Sequence, residues 1–441
     1  MIQVTIEKKY SNISFDIDVK YRSAILGENG IGKTSILKAV SSKKSDDDWL
    51  SVHVPANLKI AFLSQIEENT QQLSGGEHTK QRLKTLFAEQ ADLYVLDEPT
   101  NNLDTDNIEW LKRIIIGGDL HVLFTSHNID FIDNIAENIF YLDSEGVEKT
   151  KEKCSSYLET RKKKIEHEFF LYEENMRRHN ELMDAARKAK QHSEEGSKWE
   201  GTDNDKFLRG FNRNAAGKSA STARKFKERA EAMKIEKPKY DPIPRVVINK
   251  ADFHGHMFSL VCTALSAKRI SMEIFDSSKI LITGHNGIGK SSFVRYIDQL
   301  LNKTMEIKET DTFSRGRNFS HLYITQDWYE HLDNMTAEEY IQSFSLGEQD
   351  VYRAISYNYL DKRILHKKFK DISPGLRIKV LLGALSCLRF DLLIWDEPTN
   401  HLDVMTQAVL HDAFSKYKGA LLVVSHDPIL MRDNNFSQII L

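Results

Sequence analysis

The chain of 441 residues is long enough for about three domain-sized units, and its 40% hydrophobic content excludes disorder throughout its length. With 61 Lys and Arg against 64 Asp and Glu, the net charge of −3 excludes a global basic field, so a nucleic-acid partner must be met locally. Three dispersed cysteines exclude a disulfide framework, and no apolar run nears the roughly 20 residues of a membrane-spanning helix. We therefore expect a cytoplasmic protein.

The first predicted elements are strands around a glycine-rich turn. Apolar residues alternate in residues 1–14, which predicts a strand and not a signal peptide. An apolar strand at 24–26 and a helical pattern at 35–40 flank the sequence GENGIGKT. Such a turn surrounds phosphate with backbone N–H groups, its lysine reaches the β- and γ-phosphates, and its hydroxyl binds Mg²⁺. The predicted nucleotide-binding residues are Gly27, Glu28, Asn29, Gly30, Ile31, Gly32, Lys33, Thr34 and Ser35, with Thr34 also a metal ligand.

A second anion-binding turn follows in the sequence LSGGE, ahead of a helical run at 79–89. Ser74 offers a hydroxyl, and Gly75 and Gly76 offer backbone N–H groups at a helix N-terminus. In isolation this sequence would be an ordinary capped helix start.

Acidic and imidazole side chains then follow two apolar strands. The strand at 93–96 ends in Asp97, a predicted Mg²⁺ ligand, and Glu98, which is placed to polarise the attacking water. His127 follows the strand at 122–124, where an imidazole can donate to a γ-phosphate. Gln65 is a weaker candidate for binding the metal or the water. A structural histidine and an acidic strand exit are the alternatives.

The segment from 151 to 244 differs in composition and reads as a linker. Residues 151–240 hold 23 basic and 16 acidic residues. Residues 161–191 lack Pro and Gly and favour a long helix, four glycines from 196 to 217 interrupt the pattern, and residues 221–235 resume it before the prolines from 238 onward. The sequence predicts a helix, a loop and a second helix.

The second half of the chain repeats the first. GHNGIGKS at 284–291, WDEPTNHLD at 395–403 and SHDP at 425–428 match GENGIGKT, LDEPTNNLD and SHNI. An incidental glycine-rich turn is a weak alternative when two copies lie in register with other motifs. The repeated nucleotide-binding residues are Gly284, His285, Asn286, Gly287, Ile288, Gly289, Lys290, Ser291, Ser292, Ser373 and Gly375; the metal-ligand candidates are Ser291, Gln326 and Asp396; the catalytic candidates are Glu397 and His426.

The spacing between the repeats locates an insertion. Lys33 and Lys290 are 257 residues apart, whereas Asp97 and Asp396 are 299 residues apart. The extra residues lie after Gln326 and carry apolar side chains at helical spacing over 336–344 and 350–360. A small helical subdomain is predicted in the second half and is largely missing from the first.

These motifs and their order resemble the ABC-F family of ATP-binding-cassette ATPases. The resemblance implies an α/β fold with two P-loop cassettes, 1–150 and 245–441, joined by the charged helical linker 151–244. It implies ATP and Mg²⁺ as cofactors, ATP hydrolysis as the activity, and a monomer whose two cassettes pair head to tail. The implied partner is the 70S ribosome, at the E site, with the linker near tRNA and rRNA of the peptidyl-transferase centre.

The chain departs from the family's usual pattern at three points, and in these it resembles the antibiotic-resistance branch more than the translation-factor branch. The second signature reads ISPGL, with proline where glycine is expected. The first cassette is short, and no aromatic residue is assigned to adenine stacking, Tyr10 and Phe253 being the best candidates.

The linker holds a basic segment, residues 206–227, with seven basic residues and no acidic one. Positive charge interleaved with aromatic side chains favours contact with RNA phosphates and unstacked bases. A solvated loop that only keeps the linker soluble is the alternative. The residues predicted to contact the ribosome are Phe207, Leu208, Arg209, Phe211 and Arg213.

The resemblance therefore implies an ATPase that protects the ribosome from antibiotics acting at the peptidyl-transferase centre or the nearby exit tunnel. A housekeeping or regulatory translation factor of the same family is the second hypothesis. A third, the ATPase subunit of a membrane exporter, is disfavoured because a transporter ATPase needs a coupling groove and not a long charged spacer.

Overall fold

The computed structural model describes residues 1–8, 11–64, 75–101, 103–197, 206–238, 243–244, 246–263, 269–307, 309–316, 318–357, 360–399 and 402–441. They form two compact units. One comprises Met1–Thr160 with Ile243–Leu441, and the other is Arg161–Pro242.

The first cassette has a mixed α/β architecture. Its elements are β1 (Ile2–Lys8), β2 (Ser11–Ile17), β3 (Ser23–Gly27), α1 (Lys33–Ser42), β4 (Leu50–His53), β5 (Ile60–Leu63), α2 (Gly75–Ala88), β6 (Leu93–Asp97), α3 (Thr105–Gly117), β7 (Val122–Thr125), α4 (Ile129–Ile135), β8 (Asn138–Leu142) and β9 (Val147–Thr150). The main sheet has the order β5-β6-β7-β3-β8-β9 and is parallel except for β9. Strands β3, β6, β7 and β8 are buried along their whole length, which explains their continuous apolar sequences.

The strand predicted in residues 1–14 is confirmed as β1, and the structure adds a second strand, β2, that begins within the same range. Strand β1 pairs antiparallel with β2, from Ile2 opposite Ile17 to Lys8 opposite Ser11. Ile2, Val4 and Ile6 are buried on the face that covers α1 and the main sheet. The alternating pattern identified the strand but did not separate β1 from β2, because no Gly or Pro lies between them in the sequence.

The two linker helices are α5 (Cys154–Ser197) and α6 (Lys206–Ala232). The predicted loop through the glycines was wrong in part, because Gly210 and Gly217 lie inside α6. A glycine within a helix costs only about 1 kcal/mol relative to alanine, which neighbouring helix-forming residues can offset. Ala216, Ala223 and Ala230 are buried at seven-residue spacing, which places them on one face of α6.

The second cassette repeats the architecture and adds helices. Its elements are β10 (Asn249–Lys250), β11 (His256–Cys262), β12 (Ile270–Phe275), β13 (Lys279–Thr283), α7 (Lys290–Leu301), β14 (Thr312–Arg315), β15 (His321–Ile324), α8 (Ala337–Ser343), α9 (Glu348–Tyr357), α10 (Pro374–Cys387), β16 (Arg389–Phe390), β17 (Leu392–Asp396), α11 (Val404–Lys416), β18 (Ala420–Val424), α12 (Pro428–Arg432) and β19 (Ser437–Ile440), with 3-10 helices at Lys362–Ile364 and Phe369–Asp371. The parallel sheet has the order β15-β17-β18-β13-β19.

Helices α8 and α9 confirm the helical insertion in the second half. Thr336 caps α8 with a capping box, in which its hydroxyl accepts from the Glu339 N–H and the Glu339 carboxylate accepts from the Thr336 N–H. Both helices bury apolar residues in one cluster with α10. Within the described ranges, no helix is both long enough and apolar enough to span a bilayer.

Candidate functional site

The predicted nucleotide-binding residues lie where the parallel strands end. Strands β3, β6 and β7 end at Gly27, Asp97 and Thr125, and their carboxyl ends meet at one edge of the sheet. This edge is where open α/β sheets bind ligands. The second cassette has the same arrangement at the ends of β13, β17 and β18.

The glycine-rich turns require glycine for steric reasons. Gly27 and Gly284 both have φ of 144°, a conformation that side chains rarely adopt. A Cβ atom on Gly27 would lie 2.3 Å from the Leu142 carbonyl oxygen, and one on Gly284 would lie 2.9 Å from that of Leu441. The turns are therefore held against the strand ends, with helices α1 and α7 starting directly after them.

Each turn ends in a lysine that folds back over its own loop. Lys33 Nζ donates to Gly27 O at 2.8 Å and Glu28 O at 2.9 Å, and Lys290 Nζ donates to Gly284 O at 2.9 Å and His285 O at 3.1 Å. Neither helix N-terminus has a side-chain cap. First-turn N–H groups and a nearby ammonium suit phosphate oxygens. Burial lowers the pKa of both lysines.

Asp97 is held in place yet keeps an unused oxygen. Its Oδ1 accepts from Thr125 Oγ1 at 2.7 Å and from Thr34 Oγ1 at 3.3 Å. Its Oδ2 is buried with no hydrogen-bond partner. A carboxylate oxygen beside a hydroxyl fits a hard divalent cation such as Mg²⁺.

The second cassette offers the same donor set. Ser291 hydrogen-bonds to the Asp396 carboxylate, and Asp396 Oδ1 is buried without a partner. Burial raises the pKa of Asp396. Residues Thr34 with Asp97, and Ser291 with Asp396, are therefore the groups placed to hold a metal.

In the first cassette, Glu98 and His127 are in contact with each other next to the Asp97 carboxylate. The Glu98 N–H donates to Thr125 Oγ1 at 3.0 Å, and the His127 N–H donates to Glu98 Oε2 at 3.1 Å. His127 Nε2 lies 3.2 Å from Glu98 Oε1. Burial raises the pKa of Glu98 to about 8, while the Lys33 charge opposes that change. Glu98 also has a positive φ of 49°, a strain typical of functional positions.

Glu397 and His426 occupy the matching positions at a greater separation. His426 Nε2 lies 3.9 Å from Glu397 Oε1 and is buried without a hydrogen-bond partner. Burial lowers the pKa of His426 to about 4, so its imidazole is neutral at pH 7. Burial and the neighbouring Asp396 raise the pKa of Glu397 to about 8.

Residues of each cassette reach the glycine-rich turn of the other. A Cβ atom on Gly375 would lie 3.5 Å from Asn29 Cβ, so the second signature lies against the first turn. The Asp403 carboxylate acts on Lys33 and opposes the lowering of its pKa. Asp104 Oδ2 lies 3.5 Å from His285 Nδ1. The two halves thus face each other head to tail.

Several predicted residues lie outside the described residues or carry no contact that tests them. Gln65, Ser74 and Tyr10 are outside the described residues, as are the side chains of the predicted ribosome-contacting residues. Gly75 and Gly76 begin α2. Gln326 is exposed shortly after the end of β15, and Ser373 is the exposed N-cap of α10. Phe253 packs against an apolar cluster of the second cassette. The sites therefore rest on the turns, the carboxylates and the histidines.

Four residues that contribute to these sites were not predicted from the sequence. Thr125 joins Asp97 and Glu98, and the Trp49 ring would lie 2.5 Å from a Cβ atom on Gly32. Asp104 and Asp403 cap α3 and α11 and face the opposite cassette. Only the two aspartates had a signal, because they end the repeated DEPTN-x-LD motif.

The chain is similar in sequence to known ATP-binding-cassette proteins. Residues 267–400 match the family described as ABC transporter. The chain is 27% identical to "Ribosome protection protein VmlR" of Bacillus subtilis, over 95% of this chain and 81% of the relative. It is 26% identical to "Probable ATP-binding cassette sub-family F member 3 homolog" of Encephalitozoon cuniculi, over 91% of this chain and 72% of the relative.

Among solved structures, the similarity extends over nearly the whole chain. "Model of ribosome-bound archaeal Pelota and ABCE1" matches with a TM-score of 0.56 at 15% identity, covering 99% of this chain and 76% of that one. At this identity the match shows the fold alone.

Proposed function

We propose that this chain, which is similar to members of the ABC-F family of ATP-binding-cassette ATPases, binds the ribosome in an ATP-dependent way and protects it from antibiotics. The antibiotics are those that act at the peptidyl-transferase centre or the nearby exit tunnel. The observation that carries the proposal is the likeness to a ribosome protection protein over 95% of the chain, a span that includes the linker.

ATP hydrolysis by the paired cassettes is the chemical basis of the proposal. Lys33 and Lys290 bind the phosphates, and Thr34 with Asp97 and Ser291 with Asp396 would hold Mg²⁺, which neutralises developing charge on the phosphates when bound. Glu98 and Glu397 polarise the attacking water, and His127 and His426 donate to the γ-phosphate. Each site is completed by the opposite signature, so ATP favours closure of the two cassettes.

The linker is the part of the chain proposed to reach the ribosome. Its basic segment, residues 206–227, lies on a chain that is acidic elsewhere, and it begins α6. Lysine and arginine neutralise RNA phosphates, and aromatic side chains stack on unpaired bases. We propose that this segment contacts rRNA and tRNA near the peptidyl-transferase centre while the cassettes occupy the E site.

A housekeeping or regulatory translation factor remains the second candidate. The likeness to a sub-family F member 3 homolog over 91% of the chain favours a family role that is not resistance. The two candidates differ in whether the protein raises antibiotic tolerance in a susceptible host.

Expression in a susceptible bacterial host, challenged with a panel of antibiotics that act at the peptidyl-transferase centre or exit tunnel, tests the proposal. We expect the wild-type chain to raise the inhibitory concentration of at least one compound and Glu98→Gln/Glu397→Gln to abolish that effect. Protection against none of them, with ribosome binding intact, would assign the protein to the translation-factor role.

Variants of the basic segment test its part in protection. Replacing Phe207, Leu208 and Phe211 with Ala should leave ATP hydrolysis by the isolated protein largely intact and abolish protection. Charge reversal at Arg209 and Arg213 should weaken ribosome binding in a salt-dependent way, more at low salt than at high salt, because salt screens the contacts with RNA phosphates. Full protection by a chain lacking residues 208–219 would show that this segment is a passive spacer.

A further inference from the structure

Helix α4 touches three parts of the molecule. It begins two residues after His127, with Asn128 as its N-cap. Its Asp130 contacts the second cassette, and its Asp133 contacts the start of α5. One short helix therefore joins a catalytic histidine, the opposite cassette and the root of the linker.

Asp130 is a buried carboxylate shared between two cations. It is 6% exposed and forms ion pairs with Lys112 of α3 and with Arg432 of α12, whose Nη1 lies 2.5 Å from Asp130 Oδ1. Burial acts to raise the pKa of Asp130, but hydrogen bonds from Lys112 and Arg432 outweigh it and lower that pKa. The carboxylate is therefore ionised at neutral pH and needs both partners.

The matching positions of the repeat do not carry this ion pair between the cassettes. At the matching positions of the repeat, Ile429 replaces Asp130, His411 replaces Lys112 and Asp133 replaces Arg432. Ile429 packs against the apolar cluster of the first cassette, and His411 Nε2 pairs with Asp427 Oδ2 at 2.7 Å within its own cassette. The ion pair between the cassettes is thus made by α4, which follows His127 of the first cassette, and not by its counterpart in the second.

Asp133 holds the first turn of α5. Its Oδ2 accepts from Ser155 Oγ at 2.6 Å and its Oδ1 accepts from the Ser155 N–H at 3.2 Å. A carboxylate at a helix N-terminus satisfies a free N–H group and interacts favourably with the helix dipole. Any movement of α4 therefore acts on the start of the linker helix.

We propose that α4 couples the second cassette to the linker. The Asp130–Arg432 ion pair holds α4 against the second cassette, and Asp133 transmits the position of α4 to the start of α5 through Ser155. The inference rests on the ATP-driven closure in the proposed function, but not on the ribosome as partner. Asp130 and Arg432 act as positioning residues, since neither contacts the predicted catalytic groups.

The first test uses the purified full chain without ribosomes. Arg432→Glu places a second negative charge beside Asp130 and should raise the ATP concentration for half-maximal hydrolysis about fivefold, which corresponds to about 1 kcal/mol. Arg432→Lys should restore the wild-type value. Arg353→Glu, which reverses the exposed pair with Asp350, is the matched control and should change nothing.

The second test follows the linker root by hydrogen exchange at residues 154–160 in the Glu98→Gln/Glu397→Gln background. ATP should slow this exchange, and adding Arg432→Glu or Asp133→Asn should remove the effect. Asp133→Asn should keep the wild-type ATP concentration for half-maximal hydrolysis, because it leaves the Asp130–Arg432 ion pair intact. An unchanged ATP requirement in Arg432→Glu, whose exposed side chain poses little risk to folding, would overturn the proposal even if the protein binds ribosomes.

Discussion

The two nucleotide sites have the same motif but hold their carboxylates differently. At the first site, Thr125 Oγ1 contacts Asp97 and the Glu98 N–H, and the Glu98–His127 separation is 3.2 Å. At the second, Val424 replaces the threonine, the Glu397 N–H donates to Val424 O at 2.9 Å, and the Glu397–His426 separation is 3.9 Å.

The signatures differ in the opposite sense. The first site faces Ser373-Pro374-Gly375, where proline at the first helical position provides no N–H group. The proposed partner of the second site is Ser74-Gly75-Gly76, which has no proline. A more tightly held set of carboxylates is thus combined with the weaker anion-binding turn. The comparison indicates that the two sites hydrolyse ATP at different rates.

The largest effect is expected when both proposed catalytic glutamates are replaced. Glu98→Gln/Glu397→Gln should lower ATP turnover on the order of 100-fold while nucleotide binding persists, because the loss is confined to stabilisation of the transition state. Turnover and binding of a fluorescent ATP analogue are the measurements. Hydrolysis at the wild-type rate would show that neither glutamate is catalytic.

Single substitutions sharpen the comparison between the sites. A lost N–H donor removes about 1–3 kcal/mol of stabilisation, so the Lys33 site should be the slower one. Glu397→Gln, which leaves only that site, should therefore retain less activity than Glu98→Gln. Equal residual rates would contradict the asymmetry.

The hydroxyl of Thr125 gives a smaller effect. In the Glu397→Gln background, Thr125→Val should reduce turnover several-fold, since a neutral hydrogen bond contributes about 1 kcal/mol and the valine of the second site is tolerated. Val424→Thr in the Glu98→Gln background is the reciprocal control and should not reduce turnover. A Thr125→Val variant with unchanged turnover would show that this hydroxyl does not position the carboxylates.

The pH dependence of stability tests the burial of these glutamates separately from their role in turnover. The pKa of each glutamate rises from 4.5 in the unfolded chain to about 8 in the folded one. The resulting contribution to stability is complete below pH 4.5 and is lost as the pH rises to 8, because the unfolded state releases its protons first. Urea unfolding of the nucleotide-free protein should show the double Gln variant gaining stability over wild type between pH 5 and pH 8. Parallel curves would mean that the glutamates are not buried as described.

The strands and turns that carry the candidate site residues could be predicted from the sequence. Strand ends, glycine-rich turns and the residues after them follow short-range rules, so the positions of Lys33, Asp97 and their repeats were evident. The helix through Gly210 was not, because a run of helix-forming neighbours outweighs one unfavourable residue. Contacts made between distant segments, such as Asp130 with Arg432, leave no periodic pattern and required the structure.

Cosedimentation with 70S ribosomes tests the proposed function most directly. The Glu98→Gln/Glu397→Gln variant, which retains ATP and stays closed, should sediment with ribosomes in ATP and remain in the supernatant in ADP, whereas wild type should bind transiently. Equal sedimentation in ATP and ADP, or none in either, would contradict an ATP-dependent action on the ribosome.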